Sequence, residues 1–218
     1  MITTIQVTTN GNMHRLAPTT NHPEACPHVL QLAWSISDAS GKLIDIKSTI
    51  LARTEIRHWD EKTLKRLGYA PEEILQIGKN PLDAYTELLQ TLRKTNLLVG
   101  FNLQSTLSPI LADLLRLRMI YQFSQPAMLD LQSIGQYHCE LTGIFGPQKP
   151  DLPTLFAHIT GNEPPIPPSQ MTAIDQAMAT QEMLAIMIQK GNIQLTANYK
   201  ARPKAYRYIP YPKNCIQL

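Results

Sequence analysis

The sequence predicts an α/β domain in which a mixed sheet, antiparallel hairpin strands first and parallel strands after them, is flanked by helices. Three observations carry that prediction. Two alternating segments with β-branched content, joined by a glycine-containing turn, lie in the first quarter of the chain. Short apolar runs then alternate with helical patterns, the order of β-α-β units. The 218 residues, 43% of them hydrophobic, suffice for one domain with a full core.

Residues 1–8 alternate weakly and read as the first strand, and the Gly-, Pro-, Asn- and Thr-rich residues 11–27 read as a loop. His28 to Asp38 alternates apolar and polar residues and is the second strand. Residues 39–42 turn the chain, and Leu43 to Leu51 returns as the other arm of a hairpin. Asp60 is placed to cap a short helix that ends near Gly68. Pro71, followed by Glu72 and Glu73, opens a second helix, and Asn80-Pro81 opens a third with Leu82, Tyr85, Leu88, Leu89 and Leu92 at helical spacing. Asn96 to Gly100 suits a buried strand. Ser108-Pro109 is read as the start of the next helix, and Ala127 to Leu131 as one more strand. Helices near 132–142 and 152–160 flank a Gly/Pro loop at 143–150, and a last helix runs from about Ser169 to Lys190 with Gly191 after it. Beyond Gly191 the prolines prevent a continuous helix, so residues 192–218 read as an irregular tail on a domain of residues 1–191.

Composition removes several function classes. No window offers roughly 18 uninterrupted apolar residues, so no membrane span is expected, and no basic segment followed by an apolar run marks a leader. Cys26, Cys139 and Cys215 are far apart and form no C-x-x-C pair. Reduced thiols in a cytoplasmic protein are expected rather than a zinc ribbon or a disulfide framework. The net charge of +3 sits in the tail. Lys200, Arg202, Lys204, Arg207 and Lys213 all follow residue 191 with no acidic residue among them, leaving 15 of the 20 basic residues against 17 acidic ones in the body.

Five segments, in order, resemble landmarks of the epsilon-type proofreading 3′–5′ exonucleases, the acidic-tetrad (DEDD) members of the ribonuclease-H-like superfamily. IQVTTNG is similar to F-D-T-E-T-T-G, and HVLQLAWSISDASGKLID to the second strand and hairpin of that family. VGFNLQST, residues 99–106, resembles V-G-H-N-x-x-F-D. PQKPDLPTLFAHITGN is similar to the segment before the last helix, and AIDQAMATQEML to H-x-A-L-x-D-x-x-A-T. The resemblance covers roughly residues 1–190 and implies a ribonuclease-H-like fold. It also implies a site in which four carboxylates hold two divalent metal ions and a histidine acts as general base.

Carried over position by position, the resemblance implies that this site has lost its chemistry. The two acids of the first motif fall on Gln6 and Thr8, with Gly11 keeping the motif's glycine. The second-motif histidine falls on Phe101 and its aspartate on Thr106, while Asn102 is retained. In the best register of the last motif the histidine falls on Met171 and the aspartate on Gln176. A shift by one residue puts Asp175 at the acid position instead, about 100° round the helix. Amide, hydroxyl and thioether groups do not supply the charge that two hard cations demand. Asp130, at a strand end, either caps the following helix or points toward the crevice that α/β sheets place there.

The tail interleaves Tyr199, Tyr206, Tyr208 and Tyr211 with its basic residues. This pattern suits phosphate tracking and base stacking, and equally suits packing against the domain or docking on a partner protein. With Asn102, the residues Lys200, Arg202, Lys204, Tyr206, Arg207 and Tyr208 are the candidate nucleic-acid contacts. The reading is an exonuclease-fold pseudoenzyme that binds single-stranded nucleic acid or a protein and needs no cofactor. Two alternatives stay open. One is an active 3′–5′ exonuclease with a non-standard Mg²⁺ or Mn²⁺ site using Asp130 and Asp175. The other is a protein-interaction scaffold with no nucleic-acid role.

Overall fold

The computed structural model describes residues 1–12, 23–120, 126–139, 141–143, 146–195 and 201–203. Five strands form one mixed sheet: β1 (Ile2–Thr9), β2 (Val29–Ser37), β3 (Leu43–Ile50), β4 (Leu97–Gly100) and β5 (Ala127–Asp130), in the order β3-β2-β1-β4-β5. β1 pairs antiparallel with β2, as β2 does with β3, whereas β1–β4 and β4–β5 are parallel. This is the mixed sheet that the sequence predicts. The parallel ladder between β1 and β4 holds only three residue pairs, Ile2–Leu97 to Thr4–Val99. Beyond Thr4 the two strands part.

Among the described residues seven α-helices accompany the sheet: α1 (Glu61–Leu67), α2 (Pro71–Ile77), α3 (Pro81–Arg93), α4 (Leu103–Arg116), α5 (Leu131–His138), α6 (Leu152–Thr160) and α7 (Ala173–Gln189). One buried cluster joins Ile5, Trp34 and Leu98 of the sheet to Tyr85 and Leu88 of α3 and Leu107 and Ile110 of α4. A second joins Ile2, Val99 and Leu129 to Ile134 of α5, Phe156 of α6 and Met183 and Leu184 of α7. Strand alternation sends Ile5 to the first layer and Ile2 to the second. Thr4, Gln6 and Thr8 share the face of Ile2 and therefore meet α7.

The helix signals act where the sequence places them for the first three helices. Asp60 accepts from Thr63 N at 2.8 Å, Gly68 closes α1 in the left-handed region, and Asn80 accepts from Leu82 N at 2.9 Å. Four readings need correction. α4 begins at Leu103, so Ser108-Pro109 lies inside it. The proline ring is buried in the helix, and the Ser108 hydroxyl donates to the Gln104 carbonyl one turn back; the carbonyl that loses its helical donor is that of Ser105. α5 stops at His138, and residues 142–143 and 146–147 pair as a minimal antiparallel ribbon, β6 and β7. α7 starts at Ala173 rather than near Ser169, because Thr172 and Asp175 form a capping box there. After Gly191 the chain is not wholly irregular: β8 (Ile193–Leu195) pairs antiparallel with β9 (Ala201–Pro203), and Ile193 is buried in the second core.

Candidate functional site

A crevice of about 470 Å³ opens where β1 and β4 part. Gln6 on β1, Phe101 and Asn102 after β4, and Thr106 on α4 line it from the sheet side. Met171 and Gln176 line it from the entry to α7, and Arg66 from α1. Carboxyl ends of strands are where open α/β sheets bind ligands.

The floor is a chain of neutral hydrogen bonds. The Thr106 hydroxyl donates to Gln6 Oε1 at 3.0 Å, and Gln6 Nε2 donates across the gap to the Phe101 carbonyl at 3.2 Å. Gln6 Nε2 also lies 3.5 Å from Thr180 Oγ1, whose hydroxyl donates to the Gln176 carbonyl at 2.6 Å. Next along the same face, the Thr8 hydroxyl donates to Gln31 Oε1 at 3.4 Å, and that oxygen also accepts the Ala173 N–H that opens α7 at 2.8 Å. Farther back, Thr4 and Ser35 donate to Gln181 Oε1, both at 3.1 Å, and Gln181 Nε2 donates to the Gly41 carbonyl at 2.8 Å. Each pair contributes about 0.5–1.5 kcal/mol and leaves little unsatisfied polarity.

Of the positions singled out from sequence, Gln6, Thr106, Met171 and Gln176 converge on the crevice, together with Asn102. Thr8 does not line it; its side chain is buried beside Gln31. Asp130 caps α5, accepting from Gln132 N at 3.1 Å and the Ser133 hydroxyl at 3.1 Å, and also accepts the Asn102 N–H at 2.9 Å. Asp175 accepts from Thr172 N at 2.8 Å and the Thr172 hydroxyl at 2.6 Å. Both carboxylates are thus committed to helix starts, and neither lines the crevice. Asn102 holds φ +54, a left-handed conformation that asparagine tolerates, and this turns the chain from β4 into α4 at the crevice mouth. Among the described residues no three His, Cys, Asp or Glu side chains converge in a way that suits a metal ion. The residues that line the crevice do not fit the two-ion centre that the fold family implies. They offer amides and hydroxyls bonded to one another and one guanidinium, which repels cations. Neither described cysteine is an activated thiol: burial pushes the Cys26 thiol up to about 11, with Arg116 opposing and Asp113 adding, and burial also raises Cys139. The candidate tail contacts Lys200, Lys204, Tyr206, Arg207 and Tyr208 lie outside the described residues, and Arg202 is described only as main chain in β9.

Sequence reasoning missed Arg66. It sits among the charged residues of a short amphipathic helix, where the pattern reads as solvated surface, and no spacing signal marked it. It also missed Asp113, which is fully buried and surrounded by Arg53, Tyr85, Arg116 and His28.

No family model and no curated protein matches the sequence. Solved structures do match. Escherichia coli exonuclease I, in complex with a dT13 oligonucleotide, is 15% identical with a TM-score of 0.60 over 85% of this chain and 40% of that chain. Exonuclease I from Methylocaldum szegediense is 11% identical, TM-score 0.64, over 87% and 40%. The nuclease domain of 3′hExo, a DEDDh family member bound to rAMP, is 10% identical, TM-score 0.65, over 94% and 96%. The chain spans about two fifths of exonuclease I and nearly the whole of that nuclease domain. Identities this low establish the fold, which is that of the ribonuclease-H-like DEDD exonucleases.

Proposed function

We propose, from the premise that the chain carries a DEDD exonuclease fold, that it is a pseudoenzyme that keeps the crevice for binding and no longer hydrolyses phosphodiesters. The observation that supports this reading is the floor of the crevice. Gln6 and Thr106, at two positions where the resemblance expects carboxylates, are hydrogen-bonded to each other at 3.0 Å. In a two-metal mechanism the ions activate water and stabilise the leaving oxygen, and they need several charged oxygen ligands to be held. An amide and a hydroxyl that satisfy each other supply none. The two aspartates that an unusual metal site would need are occupied as helix caps, which weighs against the active alternative.

The neighbours' ligands support a ligand class for the crevice. Exonuclease I binds a dT oligonucleotide in one of the matched structures, and the 3′hExo nuclease domain binds rAMP in another. For this chain we infer single-stranded nucleic acid as the occupant, with the basic tail as a second contact surface. The test is incubation of the full chain with 3′-labelled single-stranded DNA and RNA in Mg²⁺ or Mn²⁺. The expected outcome is retention of intact substrate without trimming. Trimming that co-purifies with the protein, and that Gln6→Ala or Thr106→Ala abolishes, would falsify the reading.

A further inference from the structure

We propose that the crevice is a metal-independent oxyanion receptor, in which the Arg66 guanidinium takes a nucleotide phosphate directly; this rests on the pseudoenzyme reading above. The first support is the state of Arg66 itself. It lines the crevice and is only partly exposed, and its Nε–H is shielded from solvent with no hydrogen-bond partner among the described residues. A shielded guanidinium donor without an acceptor is unfavourable, a cost that turning the side chain onto an anion in the crevice would relieve. Its pKa is drawn down by burial, with the Asp60 carboxylate opposing through space. A guanidinium nevertheless stays protonated at neutral pH. Asp60 and Arg66 form no direct ion pair; Asp60 Oδ1 accepts the Thr63 N–H at 2.8 Å.

The second support is what surrounds the guanidinium. Among the described residues no carboxylate lines the crevice; the neighbouring Asp130 and Asp60 are held by the Asn102 and Thr63 N–H groups. Asn102 begins the 14-residue α4 without a side-chain cap, leaving the first N–H groups of that helix open at the crevice mouth. Phe101 adds apolar surface suited to a base. A volume of about 470 Å³ accommodates one nucleotide unit. A cation fixed by the chain thus replaces the charge that divalent ions bring to an acid-lined site, and the geometry of a planar fork suits phosphate oxygens. The phosphate belongs either to the end of a nucleic-acid strand or to a free nucleotide.

The experiment uses the full chain in EDTA, with a dT oligonucleotide, thymidine 5′-monophosphate and inorganic phosphate as separate titrants and product analysis by gel. Wild type is expected to bind in EDTA with an affinity that Mg²⁺ leaves unchanged. Arg66→Gln is expected to weaken binding about tenfold or more at an unchanged melting temperature, with Arg66→Lys between the two. Tighter binding of the oligonucleotide than of the mononucleotide assigns the phosphate to a strand end, and the reverse order assigns it to a free nucleotide. Equal binding by wild type and Arg66→Gln, with no cleavage, overturns the Arg66 site and leaves the pseudoenzyme reading standing. Binding that requires Mg²⁺, accompanied by cleavage, overturns both.

Discussion

Asp113 shows what an unpaired charge would cost inside this molecule. Its carboxylate has no solvent exposure and receives the Arg53 guanidinium, the Tyr85 hydroxyl at 2.8 Å, the Arg116 guanidinium at 2.7 Å and the Val29 N–H at 3.3 Å, with His28 Nδ1 at 3.6 Å. Arg116 also donates to the carbonyls of Pro23 and Cys26, so one aspartate ties α4 to the start of β2 and to the turn before it. Burial works to raise the Asp113 pKa, but the neighbouring His28, the Arg53 charge, Tyr85 and Arg116 outweigh it and hold it below the ordinary value. A depressed folded-state pKa means stability that is present above the unfolded value near pH 4 and lost as pH falls through the folded one. The urea midpoint of wild type should therefore drop below about pH 4, and that of Asp113→Asn should depend less on pH there. Asp113→Ala strands the buried Arg53 and should cost about 3–5 kcal/mol by urea denaturation at pH 7. None of this was legible in the sequence. Asp113 lies on a leucine-rich helix, its partners are 3 to 85 residues away, and only the tertiary fold brings them together.

At the scale of elements, α7 shows both what local signals reveal and where they stop. Its apolar spacing predicts a helix, and Ala177, Leu184 and Ile188 do pack as the spacing implies. Its start is set by the Thr172–Asp175 capping box, which overrides the Ser169 signal and turns Asp175 back toward Thr172. The register ambiguity of the last motif was one residue wide, and periodicity alone cannot resolve a rotation of about 100°. The same helix lies against the β2–β3 turn. Gly41 holds φ +82, and a Cβ there would come within 2.8 Å of the Ala185 Cα. Its carbonyl accepts from Gln181, so the turn cannot move away without breaking that bond. Gly41→Ala should destabilise by about 2–4 kcal/mol, the sum of the left-handed penalty and overpacking, read as a lower urea midpoint at an unchanged m-value. α4 carries the opposite lesson. Proline at a helix start is a sound rule, yet Ser108-Pro109 misplaced the start, because burial of the ring within α4 outweighed the lost N–H.

Across the whole molecule, sheet polarity was legible because hairpin spacing and β-α-β alternation are written in short-range pattern, whereas the order β3-β2-β1-β4-β5 came only with the fold. The chemistry of the crevice was legible only at the positions where a motif could be laid over the chain. Gln6, Thr106 and Met171 were found that way, and Arg66, which no motif marks, was not. A global measurement tests the absence of charged metal ligands. By linkage, a site with a dissociation constant of about 0.1 mM would add about 2.7 kcal/mol at 10 mM Mg²⁺, or roughly 5–10 °C in a protein of this size. The expected result is a melting temperature that moves by less than about 1 °C between EDTA and 10 mM Mg²⁺; a rise of several degrees would restore a cation site. The parting of β1 and β4 past Thr4 and Val99 bears on how such a molecule changes over time. That opening is made by main chain, so substitutions along its walls alter what it admits without closing it.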